Sequence, residues 1–163
     1  MTVDEYNKCV DSYADGVYRF ILKNIKDEDS AGDIVQDAFA KMWEKVKDIS
    51  YEKSRSYLFT AAYHTMIDRI RKDKRWEPGD NMERFERSGE QGYSDLKEIL
   101  DDALERLPEI QRSVLLLRDY EGYSYKEIGT ITDLSEAQVK VYIYRARMAM
   151  KKYLVSMENL IDL

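Results

Sequence analysis

The stretch YSYKEIGTITDLSEAQVKVYIYRARMAMKKY, Tyr123 to Tyr153, decides the fold. Its second part predicts a long helix beginning at Glu136 to Gln138. At about 100° per residue, Val139, Ile143, Ala146 and Met150 fall on one stripe, the spacing of a helix laid on a core. Ser135 stands where an N-cap belongs. Ahead of it the pattern predicts a short helix from Ser124 and a tight turn around Asp133 and Leu134. Asp133 can take the left-handed backbone that such a turn favours. Gly129 puts a small residue where two crossing helices need close approach. Two helices joined this way are a helix-turn-helix. The long helix also carries apolar groups on its other side: Ala137, Val141, Tyr144, Arg145 and Met148, with Lys140 on the flank. A solvated face is normally filled with Glu, Lys and Gln, so this one predicts a partner other than water.

Working back along the chain, Leu96, Ile99, Leu100, Ala103, Leu104 and Leu107 form one helical stripe. Pro108 then begins another helix, where its missing N–H costs nothing, carrying Val114, Leu115 and Leu117 up to a break at Gly122. Residues 77–94, EPGDNMERFERSGEQGYS, lack a sustained apolar period and read as a linker. As a flexible coil that segment would span about 25 Å root-mean-square and about 60 Å fully drawn out, so the two halves can sit apart on one partner.

Before the linker the chain predicts three helices. Val10, Tyr13, Ala14, Val17, Tyr18, Ile21, Leu22 and Ile25 repeat at three-four spacing, and DEDS then offers Asp and Ser caps for a second helix. That helix holds Ala31, Ile34, Val35, Ala38, Phe39, Met42, Trp43 and Val46 on one side. A third runs from about Arg55 to Arg75, with Leu58, Ala61, Ala62 and Ile70 among its inward residues. The fold class is therefore all-α: two small helical domains joined by a flexible linker, the second a helix-turn-helix. Only 7 Gly and 2 Pro, against 44% apolar residues, agree with this.

The net charge of −6 hides a blocked distribution. Residues 53–76 hold seven cationic and two acidic side chains, and residues 136–153 hold five and one, whereas residues 1–52 and 77–110 are strongly acidic. Screening over about 8 Å at physiological salt lets a local basic patch act without cancellation by distant carboxylates. Five cations within residues 69–75 exceed what the end of a helix dipole needs.

Several chemistries are excluded. One cysteine, Cys9, allows no internal disulfide and no multi-cysteine zinc site, and it is assigned no role. The single histidine, His64, has no serine-acid or metal-ligand partner at recognisable spacing, and no glycine-rich phosphate loop occurs. No catalysis, cofactor, metal or small-molecule substrate is expected. No run of about 18 apolar residues occurs, and the acidic start MTVDEYNKCVDSYADG is unlike a secretory signal, so a cytoplasmic protein without membrane insertion is expected.

The helix-turn-helix points to DNA, because its second helix is the one that enters the major groove. Ala137 and Val141 can touch thymine methyls, Lys140 and Arg145 can reach guanine edges or phosphates, and Tyr144 suits backbone or base. Arg147, nearer the core stripe, either joins Lys151 and Lys152 on phosphate or pairs with a carboxylate such as Glu127.

With these residues placed, the chain resembles a bacterial RNA polymerase sigma factor of the extracytoplasmic-function type, the minimal two-domain form. The resemblance spans Val10 to Leu154 and rests on four blocks in order: DEDSAGDIVQDAFAKMW, SYLFTAAYHTMIDRIRK, LPEIQRSVLLLRDYEGYSYKEIG and LSEAQVKVYIYRARMAMKKYL. It implies that residues 1–76 are sigma region two, 77–94 the linker, 95–155 region four and 156–163 a tail. It implies a promoter-specificity subunit that binds core RNA polymerase, through the beta-prime coiled coil and the beta flap, and opens promoter DNA. On that resemblance Asp33, Gln36, Asp37 and Lys41 face the polymerase. The loop from Ser50 to Ser56 and the helix after it, with Arg55, Tyr63, His64, Asp68, Arg69, Arg71, Lys72, Lys74 and Arg75, meet the unwound minus-ten strand, where aromatic and cationic groups suit splayed bases and phosphates. Ala137, Gln138, Lys140, Val141, Tyr144, Arg145 and Arg147 meet the minus-thirty-five duplex. The resemblance further implies an anti-sigma partner, toward which the tail LVSMENLIDL could pack. His64 stands where the family usually has Asn, and Val141 and Tyr142 stand where a small polar residue and Arg are common. Two other readings remain beside this one: a sigma-mimicking adaptor that binds an anti-sigma protein without touching DNA, and a free-standing helix-turn-helix regulator.

Overall fold

The computed structural model describes residues 1–76 and 96–161, with side chains to Lys74 and to Glu158. The linker expected at 77–94 and the end of the tail lie outside the described residues. Among the described residues seven α-helices follow in order: α1 Val3–Ile25, α2 Glu28–Glu44, α3 Ser54–Trp76, α4 Leu96–Glu105, α5 Glu109–Leu115, α6 Tyr125–Thr132 and α7 Glu136–Ile161. Among the described residues there is no strand.

Local chemistry fixes the first three. Thr2 caps α1 in a reciprocal box with Glu5, its Oγ1 accepting from the Glu5 N–H at 3.1 Å while Glu5 Oε1 accepts from the Thr2 N–H at 2.8 Å. Lys26, in left-handed backbone at φ 58°, ends that helix. Asp27 then caps α2, accepting from the Asp29 N–H at 3.2 Å and the Ser30 hydroxyl at 2.8 Å, as the DEDS signal predicts. These bonds hold the Asp27 carboxyl below its ordinary pKa, the Ser30 hydroxyl first among them. A 3-10 turn at Tyr51–Lys53 leads into α3, where the Ser54 hydroxyl donates to Tyr51 O at 2.6 Å.

The inward stripes pack as their spacing predicts, with exceptions at their edges. Val17, Phe20, Ile21, Ile34, Met42, Leu58 and Met66 are buried, and Phe20 meets Phe59 at a ring separation of 5.6 Å. Cys9 is buried among them. Val10, Trp43 and Leu96 are exposed instead, and Val46 falls beyond the end of α2. Trp43 lies at the margin of its stripe, edge-on to Tyr6 at 5.0 Å with its outer side open. On α3 the buried side is wider than the predicted stripe, since Phe59 and Tyr63 are covered as well, by the second half of the chain.

Pro108 is the residue just outside α5, its N-cap, rather than the first helical residue. The helix does not run evenly to Gly122: Leu116–Tyr120 form a π turn, closed by Glu121 N–H donating to Leu116 O at 3.1 Å. Gly122, at φ 78°, then reverses the chain. The extra residue of the π turn fans successive side chains in different directions. Arg118 stacks on Tyr125 at 4.6 Å, Asp119 turns to α7, the Tyr120 ring lies under Lys23 of α1, and Glu121 turns to α1.

Candidate nucleic-acid interface

The turn between α6 and α7 is built from its caps. Ser124 and Glu127 exchange bonds of 3.0 and 3.1 Å at the start of α6, and the N–H of Ser124 above all holds the Glu127 carboxyl below its ordinary pKa. Asp133 ends α6 in left-handed backbone, φ 58° and ψ 39°, the conformation expected of it. Leu134 N–H donates to Gly129 O at 3.0 Å, and a Cβ on Gly129 would stand 2.7 Å from Leu134 O. The close approach that requires glycine is thus to the turn's own backbone. Ser135 then caps α7, its N–H donating to Gln138 Oε1 at 2.9 Å and its Oγ accepting from the Gln138 N–H at 3.1 Å.

So anchored, α7 divides lengthwise. Val139, Ile143 and Ala146 are buried, and burying a side chain such as Val or Ile stabilises by about 1.5–3 kcal/mol. On the other side Val141 is 45% exposed, Tyr144 65% and Met148 50%, with Ala137 and Arg145 also open. Arg145 has no ion pair among the described residues. Lys140 reaches back, 4.0 Å from Glu136 and 5.7 Å over the Tyr125 ring. Gln138 is exposed at the first turn, with its amide oxygen engaged in the cap.

Arg147 has a different place. Its guanidinium meets both oxygens of Asp119, at 2.6 and 3.3 Å, and this raises its pKa further. Its carboxylate partner is therefore Asp119 of the π turn and not Glu127, whose carboxylate closes the α6 cap. The pair ties α7 to the π turn that follows α5, which leaves Arg147 less free for phosphate than Arg145.

In the first half, α2 and α3 flank a groove of about 560 Å³ that holds Asp33, Gln36, Asp37 and Lys41 along one wall and Asp68, Arg69 and Lys72 along the other. Lys41 donates to the Thr65 hydroxyl at 3.1 Å and lies 3.4 Å from Asp37, while Arg69 stands 3.9 Å from Asp33. The four residues that the resemblance assigns to polymerase thus share one polar groove with Asp68, Arg69 and Lys72, three of those it assigns to the melted strand. Lys72 is exposed at its wall, Arg71 and Lys74 are exposed beyond it, and the side chain of Arg75 lies outside the described residues.

The remaining strand candidates lie where the two halves meet. Tyr63 is only 5% exposed, and its burial pushes the phenol pKa up to about 12. His64 sits edge-on to Tyr63 at 5.6 Å, with Nε2 3.8 Å from an oxygen of Asp133. Arg55 donates to Glu121 O at 2.8 Å and lies 4.5 Å over the Tyr123 ring. Arg19, Asn24 and Glu121, which bridge the halves, were not singled out by the sequence: a polar residue on a helix face gives no sign of a partner in another domain.

Comparison with known proteins divides the chain as its helices do. Residues 9–76 match the family model for Sigma-70 region 2, and residues 97–150 match Sigma-70, region 4. The extracytoplasmic-function sigma factor SigM of Bacillus subtilis is 30% identical over 156 residues, 93% of this chain and 94% of its own length. The sigma factor SigV of the same organism is 30% identical over 146 residues, 88% and 87%. Among solved structures, the sigma factor RpoE in complex with the anti-sigma factor NepR from Bartonella quintana superposes with a TM-score of 0.74 at 22% identity, over 93% of this chain and 98% of that one. CnrH in complex with the cytosolic domain of CnrY gives 0.67 at 22%, over 93% and 88%. These two show a shared fold. The chain belongs to the RNA polymerase sigma factors of the extracytoplasmic-function type, and is a promoter-specificity subunit of that enzyme. The family consists of transcription initiation factors, and no helix among the described residues is long and apolar enough to cross a membrane.

Proposed function

We propose that this sigma factor acts in the cytoplasm, without catalysis of its own, by holding one promoter at two places. Region four, residues 95–155, docks on the minus-thirty-five duplex through α7. Val141 and Ala137 meet thymine methyls, Lys140 and Arg145 meet guanine edges or phosphates, and Tyr144 meets the backbone or a base. Gln138 and Arg147 flank this set. Region two, residues 1–76, binds core polymerase through Asp33, Gln36, Asp37 and Lys41, and takes the displaced minus-ten strand on Arg55, Tyr63, His64, Arg69, Arg71, Lys72, Lys74 and Arg75. Binding the flipped bases offsets an unstacking cost of a few kcal/mol, which lets a protein without catalytic groups promote opening. An anti-sigma protein is its expected regulator, by analogy with the RpoE complex with the anti-sigma factor NepR, whose fold it shares.

The observation that carries this reading is the open apolar and cationic side of α7 opposite a buried stripe. Run-off transcription on genomic fragments with purified core polymerase tests it. Discrete start sites that appear only with the sigma factor, and vanish on Arg145→Ala together with Tyr144→Ala, are expected. Specific duplex binding by the free protein, with no effect on core polymerase, would instead identify an independent regulator.

A further inference from the structure

The outward side of α7 is ordered across its width as well as along its length. At about 100° per residue, Ala137, Val141, Tyr144 and Met148 fall within about 60° of one another, on a crest opposite the buried Val139, Ile143 and Ala146. Lys140 stands about 70° to one side of that crest, and Arg145 and Gln138 stand about 70–90° to the other. A helix lying in the major groove points its crest at the base edges and its flanks at the two sugar–phosphate walls. Polar groups near the start of α7 are already engaged: Gln138 Oε1 accepts from the Ser135 N–H, and the Lys140 ammonium lies back 4.0 Å from Glu136 and 5.7 Å over the Tyr125 ring. Tyr142 packs against the core. Met148 lies about 16 Å along the axis from Ala137, beyond a groove about 12 Å wide. Ala137 and Val141, in the first two turns, are therefore the crest residues that reach deepest.

We infer that this protein chooses its duplex by thymine methyl groups rather than by hydrogen bonds to base edges, with Val141 the specificity-determining residue and Lys140 serving phosphate alone; this rests on α7 meeting the minus-thirty-five duplex, as proposed above. The 5-methyl of thymine is the apolar group that a base pair presents in the major groove, and the Val141 side chain has no donor or acceptor to offer any other edge. A methyl buried against Val141 raises affinity about 3–5-fold, the worth of one buried methylene-sized group. The flanking cations complement the phosphate charge. They bind every sequence alike and hold the helix in register while the crest discriminates.

Holoenzyme formed from the full chain and core polymerase is used to select from promoter duplexes randomised over the minus-thirty-five element. Each thymine of the selected duplex is then replaced in turn by uracil, and, opposite guanine, by cytosine and by 5-methylcytosine. At one or two positions, thymine and 5-methylcytosine are expected to bind about 3–5-fold more tightly than uracil and cytosine. Val141→Ala, at an exposed position that leaves the core intact, should remove that difference. Lys140→Gln should instead weaken every duplex alike and reduce the salt slope by about 0.9. Equal binding of thymine and uracil at every position would overturn the methyl readout, whatever the cost of cytosine. Selection and affinity unchanged by Val141→Ala with Tyr144→Ala, and by Lys140→Gln as well, would remove the duplex from α7 altogether, and with it the reading on which the inference rests.

Discussion

The α-carbon of Gly129 passes so close to Leu134 that any side chain at position 129 would meet the Leu134 carbonyl oxygen at 2.7 Å. This contact sets the angle at which α7 leaves the turn, because the same oxygen belongs to the residue just before the Ser135 cap. Gly129→Ala is expected to destabilise region four by about 1–3 kcal/mol, the usual cost of an overpacked contact that the backbone must absorb. Thermal unfolding of the variant, compared with Thr130→Ala on the exposed side of α6, checks this. Equal melting temperatures would refute it.

Arg145 and Arg147 are two residues apart and should behave differently. Arg145→Gln is expected to weaken holoenzyme binding to minus-thirty-five duplex by about 1–3 kcal/mol if it reads a base, whereas Arg147→Gln should have a smaller effect there. The Arg147–Asp119 pair is about half exposed, so a double-mutant cycle on stability should return only about 0.2–1 kcal/mol. Quantitative footprinting and unfolding together separate the two roles.

If about four cations of Arg69, Arg71, Lys72, Lys74 and Arg75 meet phosphate, the logarithm of strand affinity should fall against the logarithm of salt with a slope near −3. Lys72→Ala should reduce the slope by about 0.7. A slope near zero would show that this patch is not used on the strand.

Tyr63 predicts an alkaline weakness. Its folded pKa of about 12 lies above the ordinary 10.0 because burial disfavours the phenolate. The unfolded chain therefore loses this proton first as pH rises. The stability that a neutral Tyr63 contributes is complete below pH 10 and is lost between pH 10 and about 12. Tyr63→Phe should flatten that decline, gaining about 1 kcal/mol on the parent between pH 10 and 11 in urea unfolding. Identical slopes in parent and variant would contradict the assignment.

The parts legible in the sequence were those set by local chemistry and by periodicity. Caps at Asp27 and Ser135, the start of α6 at Ser124, the left-handed turn at Asp133, and the buried stripe of α7 all follow from side chains that act on their own or neighbouring turns. The outward set of Val141, Tyr144 and Arg145 was legible for the same reason, since a surface without its usual polar residues is visible as a pattern. What was not legible depended on distant partners. Arg19 and Glu121 are 102 residues apart, and neither breaks any local rule. The π turn also escaped, because one inserted residue leaves the composition of LLLRDYEG unchanged while it redirects Asp119 and Glu121. Arg147 shows the boundary between these cases: its position near the core stripe suggested a carboxylate partner, but the choice of Asp119 over Glu127 needed the turn's geometry.

On the proposed duplex contact, the lengthwise division of α7 would let promoter choice and folding vary independently. Replacements at Val141, Tyr144 or Arg145 would then retarget the protein without disturbing the buried Val139, Ile143 or Ala146, and new regulons would be reachable by surface changes alone. The same division leaves little of that helix to keep the free subunit in solution, a task that falls to the acid-rich remainder of the chain.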